Sequence, residues 1–206
     1  IETGIAKPAD VPEFGRKIHV EASRMIQLVN DILQLSHLDS VSETHAQPDM
    51  ETVDLLDVAK DCVERQKLNA QRSFISLTYL GESARVLGNR DQLDELCQNL
   101  CDNAIRYNRP GGTVTLQCGT NDEGHPFLAV ADTGIGIAPE EQGKVFERFY
   151  RVDKRRSKAR GGTGLGLAIV KHAALYHHAT LDLSSELGVG TTITVTFPIQ
   201  QDEPFA

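Results

Sequence analysis

The sequence predicts an α/β fold, a two-layer α/β sandwich that follows one long N-terminal helix. Residues 12–39 carry a coiled-coil-like apolar pattern, and helical and strand patterns then mix without a strict β–α–β rhythm. An apolar fraction of 40% in 206 residues suffices for one ordinary core plus an extra element. We therefore expect a sandwich rather than a doubly wound sheet.

The first helix is predicted over residues 12–39, with Pro12 in its first turn and Asp10 as a candidate cap. Its apolar residues alternate spacings of four and three, at Ile18, Ala22, Met25, Val29 and Ile32, and the seam is widened by Leu28 and Leu35. A lone helix with such a face must bury it against other helices. A second chain, a further helix of the same protein, or both are therefore expected.

The other elements follow from local periodicity. Helices are predicted at 54–71, 89–108 and 167–176, and strands at 74–80, 113–119, 127–134, 180–185 and 191–198. The polar segment that precedes these elements is predicted to be a linker. The predicted organisation is a helical segment at 1–41, a linker at 42–50, an α/β domain at 51–199 and a tail at 200–206.

Charge and cysteine content exclude some classes. A net charge of −8 argues against general binding to nucleic acid or to anionic membranes. None of the four cysteines forms a C-x-x-C pair, which argues against zinc and redox motifs and fits a reducing compartment. Neither a signal peptide nor a membrane span is predicted in these residues.

Two polar stretches are candidates for ligand binding. In NLCDNAIRY (99–107), Asn99 and Asn103 lie four residues apart and share one helix face. In DTGIGI (132–137), a carboxylate at a strand end precedes two glycines that allow close backbone approach. Each has an ordinary alternative, a polar helix surface and an Asp–Thr–Gly turn respectively.

Two further stretches point to phosphate. The run FERFYRVDKRRSKAR (146–160) holds seven basic and two acidic residues, as a solvated loop or a cationic lid over a polyphosphate would. In RGGTGLGLAIVKH (160–172), glycines open a helix, as in phosphate cradles and in plain helix starts. The spacing G-x-G-x-G at Gly162, Gly164 and Gly166 is one residue short of the dinucleotide fingerprint. The residues Leu167 and Ala168 exclude a Walker loop.

In this order the four stretches resemble the Asn box, first Gly box, Phe box and second Gly box of sensor histidine kinases. The resemblance implies the Bergerat ATP-binding fold, with a mixed sheet and helices on one face, and implies ATP and Mg²⁺ as cofactors. The upstream helix, ending LSHLD, resembles the end of that family's dimerisation and histidine-phosphotransfer domain, most closely the Gram-positive phosphate-regulon-sensor type. The resemblance as a whole implies transfer of the γ-phosphate of ATP to a histidine and then to an aspartate of a response regulator receiver domain. A homodimer through the N-terminal helix, and a cytoplasmic position in a membrane-anchored bacterial sensor, are also implied.

The resemblance assigns roles at the base end of the site. Asp132 would accept the adenine amino group, Gly134 and Gly136 would admit the base, and Tyr107 would stack on it or wall the pocket. Asn103 would hold Mg²⁺. Arg106 stands where the family often has Lys, within reach of phosphate; it keeps the charge but offers a planar fork.

Other roles fall at the phosphate end. Arg148 and Arg151 would be lid arginines, with Arg151 neutralising the γ-phosphate in transfer. Backbone N–H groups at the helix start would meet the phosphates, from Thr163, Gly164, Leu165, Gly166 and Leu167. Asn99, Ile137 and Thr191 complete the implied nucleotide site.

Two positions qualify the implied chemistry. Related ATPases of this fold carry a water-activating Glu where this sequence has Asn99, so fast hydrolysis is not expected. None of the seven histidines precedes an acid, as the family's acceptor does, so this chain is not expected to autophosphorylate. The pair His177–His178 stands where the family commonly has two glycines and is interpreted as a turn variant.

Two alternatives remain open at this stage. A serine kinase that binds a sigma factor shares the fold but lacks the long upstream helix. A nucleotide-responsive scaffold without catalysis would keep the fold, although the intact Asn and Gly boxes count against it.

Overall fold

The computed structural model describes residues 8–23, 25–26, 29, 50–152 and 163–199. Residues 8–10 form a 3₁₀ turn, and a helix that we call α1 covers 11–23, with 25, 26 and 29 also helical. The prediction of a helix from residue 12 is confirmed there, and its part from 30 to 39 lies outside the described residues. Every side chain described in α1 is exposed, including the seam residues Ile18, Ala22, Met25 and Val29.

The rest of the described chain alternates helices and strands. The helices are α2 Leu55–Arg72, α3 Arg90–Arg106, the short α4 Pro139–Gln142 and α5 Gly166–Tyr176. The strands are β1 Glu51–Asp54, β2 Ser76–Gly81, β3 Arg85–Gly88, β4 Thr113–Thr120, β5 Pro126–Asp132, β6 Thr180–Glu186 and β7 Gly190–Thr196.

Five strands form one mixed sheet in the order β2-β4-β5-β7-β6. The β2–β4 pair is parallel and the other three pairs are antiparallel. The strands β1 and β3 form a separate two-stranded antiparallel ribbon. The predicted α/β sandwich with a mixed sheet is therefore confirmed.

Alternation of side chains along the strands directs one sheet face toward the helices. Val114, Leu116, Leu128 and Val195 are fully buried on that face. They pack in one core with the apolar stripes of α2 and α3, which include Leu55, Leu93, Leu96 and Leu100. All four cysteines are free and buried, and Cys62, Cys97 and Cys101 belong to this helix–sheet core.

Most predicted elements are confirmed to within two residues. Three were missed because they are four residues long: β1, β3 and α4. The predicted strand 127–134 ends earlier, at Asp132, because the Asp132 carboxylate accepts the N–H of Gly134 at 2.7 Å and turns the chain out of the sheet.

The turn at His177–His178 is confirmed. His178 has φ +53°, a left-handed conformation that favours glycine, and it directly follows the last turn of α5. Among the described residues, no helix is long and apolar enough to cross a membrane.

Candidate functional site

A cleft of about 870 Å³ opens between α3, the end of β5, the loop that follows β5 and the start of α5. Its size is within the usual range for small-molecule sites, about 300–1,000 Å³. Most of the residues expected from the sequence line it: Asn99, Asn103, Arg106, Tyr107, Asp132, Gly136, Ile137, Arg151, Thr163, Gly164, Gly166, Leu167 and Thr191. Segments more than 90 residues apart in the chain therefore share one concave surface.

Asn99 and Asn103 face the start of α5. The side-chain Nδ2 of Asn99 donates to the carbonyl of Glu95 at 3.0 Å, which leaves Asn99 Oδ1 on the side of Gly166. A Cβ at Gly166 would lie 2.9 Å from that Oδ1 and 3.5 Å from Asn103 Nδ2. The absent side chain thus lets the first turn of α5 lie directly against both amides.

Asp132 forms one end of the cleft. Its carboxylate accepts the backbone N–H of Gly134 at 2.7 Å and lies near the backbone N–H of Thr191. Burial raises the pKa of Asp132 above its usual value, and this outweighs the backbone N–H groups of Gly134 and Thr191, which lower it. A half-buried carboxylate with remaining acceptor capacity can accept a hydrogen bond from a ligand amino group.

Close packing holds the loop that follows Asp132. A Cβ at Gly134 would lie 2.6 Å from the carbonyl oxygen of Tyr107, and Gly136 has φ +67° against the backbone of Glu186. Arg109 Nη2 donates to the carbonyls of Gly134 and Gly188 and so joins the loop to the β6–β7 turn. The floor at this end of the cleft is therefore preformed.

A backbone hydrogen bond joins the basic run 146–160 to the residues just before α5. Phe149 donates its N–H to the carbonyl of Gly164 at 2.9 Å, and both residues have positive φ, +64° and +79°. A Cβ at Gly164 would lie 3.0–3.1 Å from the backbone of Phe149 and Tyr150. Tyr150 also donates its hydroxyl to Glu141 of α4. The basic residues 154–160 of the predicted lid lie outside the described residues.

Arg151 places unused donors in the cleft. Its Nε and Nη2 are buried, and neither has a hydrogen-bond partner among the described residues. Buried donors without partners are costly, so such a group in a cleft is suited to an anionic ligand. Near it, the N-cap residue of α5 is Leu165, whose side chain cannot cap the helix, whereas Asp54 and Asn89 cap α2 and α3.

Three expected residues do not line the cleft directly. Gly134 is buried within the loop that follows Asp132. The Leu165 side chain is fully buried, and the Leu165 N–H donates to Thr163 Oγ1 at the helix start. Arg148 is exposed and is not part of the cleft wall. Arg106 lines the cleft while its Nη2 pairs with Asp102 at 2.6 Å.

Sequence reasoning missed the residues that support the loop. Besides Arg109, these are Ser185, which accepts the N–H of Ile137 at 2.8 Å, and Gln142, which donates to the carbonyls of Ile137 and Ser185. These contacts join residues up to 79 positions apart, and no local sequence pattern predicts them.

The cleft fits a nucleotide with a bound divalent cation. The amide oxygen of Asn103 is a hard neutral ligand, and groups of three or more His, Cys, Asp or Glu suited to a metal do not occur in the described part of the chain. Such a cation would therefore be held largely by ligand phosphates and water. The Arg151 Nε and Nη2, which lack partners in the part of the chain that the structure describes, fit the phosphates themselves.

Comparison with known proteins agrees with this geometry. The family model described as histidine kinase-, DNA gyrase B-, and HSP90-like ATPase matches residues 88–201. The sensor-like histidine kinase SenX3 of Mycolicibacterium smegmatis is 40% identical over 196 residues, which is 95% of this chain and 50% of SenX3. The chain thus spans about half the length of the curated relatives it matches.

Solved structures show the same likeness. The mycobacterial sensor histidine kinase MprB has a TM-score of 0.63 at 34% identity, over 73% of this chain and 97% of that one. Full-length ShkA, solved in complex with AMPPNP, has a TM-score of 0.74 at 26% identity, over 86% of this chain and 36% of ShkA.

Proposed function

Because the chain belongs to the family of histidine kinase-, DNA gyrase B- and HSP90-like ATPases, we propose that it is the ATP-binding catalytic region of a sensor histidine kinase. The whole protein would transfer the γ-phosphate of ATP to a histidine and then to an aspartate of a response regulator. The observation that carries the proposal is one cleft that joins a half-buried carboxylate, Asp132, to the Arg151 guanidinium, whose Nε and Nη2 have no partner among the described residues. That pairing suits a ligand with an amino group at one end and phosphates at the other.

The base would bind at Asp132. Its carboxylate accepts the exocyclic amino group of adenine, and the closely packed glycines Gly134 and Gly136 leave room for the plane of the base. Tyr107 and Ile137 line this end of the cleft and supply its walls. Adenine is preferred to guanine because a carbonyl at the same position would face the Asp132 carboxylate.

The phosphates would bind between α3 and α5. Backbone N–H groups of residues 163–167 and the guanidinium of Arg151 donate to phosphate oxygens, and Asn103 contributes an amide oxygen to Mg²⁺. When bound, Mg²⁺ supplies charge neutralisation between phosphate oxygens. Arg151 neutralises the charge that develops on the transferred group, because its donors have no other partner in the described chain. Arg106, paired with Asp102, and the exposed Arg148 add positive charge nearby.

The chemistry favours transfer over hydrolysis. Asn99 occupies the position one helical turn before Asn103, and an amide cannot act as a general base. The nearest acid on this face, Glu95, lies a further turn away, and its carbonyl holds the Asn99 side chain. The accepting histidine is proposed not to be one of the seven in this chain, because none is followed by an acid.

The segment before the α/β domain would mediate dimerisation. The apolar residues described in α1 are exposed, including Phe14, Ile18 and Met25, each at least 42% exposed. A helix with such a face gains stability by packing in a bundle, so a homodimer through residues 1–41 is proposed, with 42–50 as the linker. Membrane anchoring of the parent protein and docking of a receiver domain belong to the same proposal.

Calorimetric titration with a non-hydrolysable ATP analogue, with and without Mg²⁺, tests the nucleotide site. We expect saturable binding that weakens without Mg²⁺ and in Asn103→Ala, and that is lost in Asp132→Ala. The matched control is Asp182→Ala, which removes an exposed carboxylate on β6 and should bind like the unchanged chain.

Two outcomes would contradict the proposal. Absence of binding in a chain shown to be folded would leave a scaffold without nucleotide as the better description. Phosphohistidine on this chain after incubation with ATP and Mg²⁺ would show that one of its own histidines is an acceptor.

A further inference from the structure

The hydroxyl of Ser185, on β6, lies behind the cleft wall and has three hydrogen-bond partners. Ser185 Oγ is 2.8 Å from the backbone N of Ile137, 3.0 Å from the carbonyl oxygen of Gly190 and 2.8 Å from Thr191 Oγ1. Of these residues, Ile137 and Thr191 line the cleft. Ser185 therefore contacts the site from behind.

Counting protons assigns each of these bonds a direction. A serine hydroxyl carries one proton and two lone pairs. The N–H of Ile137 can only donate to Ser185 Oγ, and the carbonyl of Gly190 can only accept the Ser185 proton. The third bond must then run from the Thr191 hydroxyl to Ser185 Oγ.

This direction leaves the Thr191 hydroxyl without a proton to offer to the cleft. Its two lone pairs can only accept hydrogen bonds from a ligand. Thr191 pairs with Asp132 across β5 and β7, and the Asp132 carboxylate is itself an acceptor. Two neighbouring groups in this part of the cleft therefore present acceptors alone.

We infer that Ser185 is a positioning residue for base selectivity: it holds the Thr191 hydroxyl as an acceptor, so that this part of the cleft favours an amino group and rejects a carbonyl at the same place. An exocyclic amino group carries two N–H donors, whereas a carbonyl oxygen would face two acceptors and lose its own hydrogen bonds. The inference rests on the proposed ATP binding and extends it to a residue that does not line the cleft.

The test must separate this role from the hydrogen bond by which Ser185 holds the loop at Ile137. Loss of that hydrogen bond would weaken binding of every nucleotide alike, whereas release of the Thr191 hydroxyl would change the preference between bases. The ratio of two dissociation constants distinguishes these cases, because effects common to both ligands cancel.

The two probes are the imido analogues of ATP and of inosine triphosphate, which carry an amino group and a carbonyl respectively at the same ring position. Affinities are measured by calorimetry for the first and by displacement of the first for the second. In Ser185→Ala the Thr191 hydroxyl can rotate and donate to the carbonyl. We expect the ratio of the inosine to the adenine dissociation constant to fall about five- to tenfold, the usual effect of one hydrogen bond.

Three further variants complete the design. Ser184→Ala, at the exposed neighbouring position of β6, should leave the ratio unchanged. Ser185→Thr keeps the hydroxyl and should keep the ratio, and Thr191→Val removes the acceptor and should lower the ratio even if Ser185→Ala does not fold.

Equal weakening of both analogues in Ser185→Ala, with an unchanged ratio, would overturn the inference and leave ATP binding standing. Equal binding of both analogues by the unchanged chain would overturn it as well. Failure of the unchanged chain to bind either analogue is a different result, since it removes the proposed function on which the inference depends.

Discussion

His177 is a buried histidine at the end of α5 that ties two helices together. Its Nε2 accepts the N–H of Asn89, the cap of α3, at 3.1 Å, so the ring proton lies on Nδ1 and is donated to the carbonyl of Ala173 at 2.7 Å. Burial lowers the pKa of His177 below its usual value and outweighs the bond to Ala173, which raises it. The neutral ring is therefore part of the folded structure.

Protonation of His177 should make stability depend on pH. As the pH is lowered, the unfolded chain binds a proton on this imidazole near pH 6.5, whereas the folded chain binds it only at a lower pH. The free energy of unfolding therefore falls as the pH drops between these two pKa values, by at most about 1.4 kcal/mol per pH unit. Urea unfolding at a series of pH values from 7.5 downward should show this slope, and His177→Gln should flatten it. The control His19→Gln removes an exposed imidazole of α1 and should leave the slope unchanged; an equal slope in His177→Gln would contradict the expectation.

His178 adopts a left-handed conformation with φ +53° and is exposed. A side chain in this region costs about 1–2 kcal/mol, and glycine removes the cost while adding some freedom to the unfolded chain. His178→Gly should therefore raise the free energy of unfolding by about 1 kcal/mol. Leu175→Gly, at an exposed helical position three residues earlier, should lower it by about 1 kcal/mol, and thermal unfolding compares the two. A loss of stability in both variants would refute the argument from φ.

At the scale of elements, the helix starts divide into two kinds. Asp54 and Asn89 cap α2 and α3 with side-chain oxygens, at 2.9 Å from Leu56 N and 3.0 Å from Gln92 N, whereas α5 and the short α4 have no side-chain cap. The two capped helices pack in the core, and the uncapped start of α5 borders the cleft. Of the three helices α2, α3 and α5, α5 alone lacks a side-chain cap, as suits the helix proposed to bind phosphate.

Asp54 should be the more sensitive cap because it also accepts from Ser83 Oγ at 2.5 Å and Ala84 N at 3.3 Å. Burial raises the pKa of its carboxyl, but the bonds from Ser83, Leu56 and Ala84 together hold it below the usual value. Asp54→Ala should cost about 2 kcal/mol at pH 7. The control Asp57→Ala, in the same helical turn and far more exposed, should cost only a few tenths.

The linkage has a definite sign. A lowered folded pKa means that the stabilisation by Asp54 is present above about pH 3.9 and is lost as the pH falls through the folded pKa. The difference between the unchanged chain and Asp54→Ala, followed by urea unfolding, should therefore shrink in that acidic range. A difference that persists there would show that the charge contributes nothing.

At the scale of the whole molecule, a substitution of Arg151 should raise the stability of the free protein and weaken its binding of the ligand. Its buried Nε and Nη2 lack partners in the described chain, so Arg151→Met should stabilise the free protein by about 1–3 kcal/mol. A ligand at 100 times its dissociation constant stabilises a folded protein by about 2.7 kcal/mol, and the variant should lose most of this gain. Thermal unfolding with and without the ATP analogue measures both effects.

The control for this exchange is Arg72→Met, in the exposed last turn of α2, which should change neither quantity by more than a few tenths of a kcal/mol. If Arg151→Met destabilised the free chain and kept the ligand-induced shift, Arg151 would be a structural residue rather than a phosphate-binding one.

The pattern of residues along the chain determined the α/β class and most elements, including α2, α3 and α5, because apolar spacing within one element follows its own helical or strand period. Order and spacing of the Asn, Asp and Gly stretches also indicated which segments would line one cleft. These signals are local, and each depends on residues within about two turns of one another.

Only the tertiary structure decided the contacts that connect distant segments. The pairing of β1 with β3, the bond from Ser185 to Ile137 across 48 positions and the contact of Arg109 with Gly188 across 79 leave no trace in local spacing. The Arg151 donors that lack partners in residues 50–152 and 163–199, and the direction of the Thr191 hydroxyl bond, depend on which groups folding brings near them. Satisfaction of hydrogen bonds is a property of the packed molecule, so sequence determined which groups are available and folding decided which of them remain for a ligand.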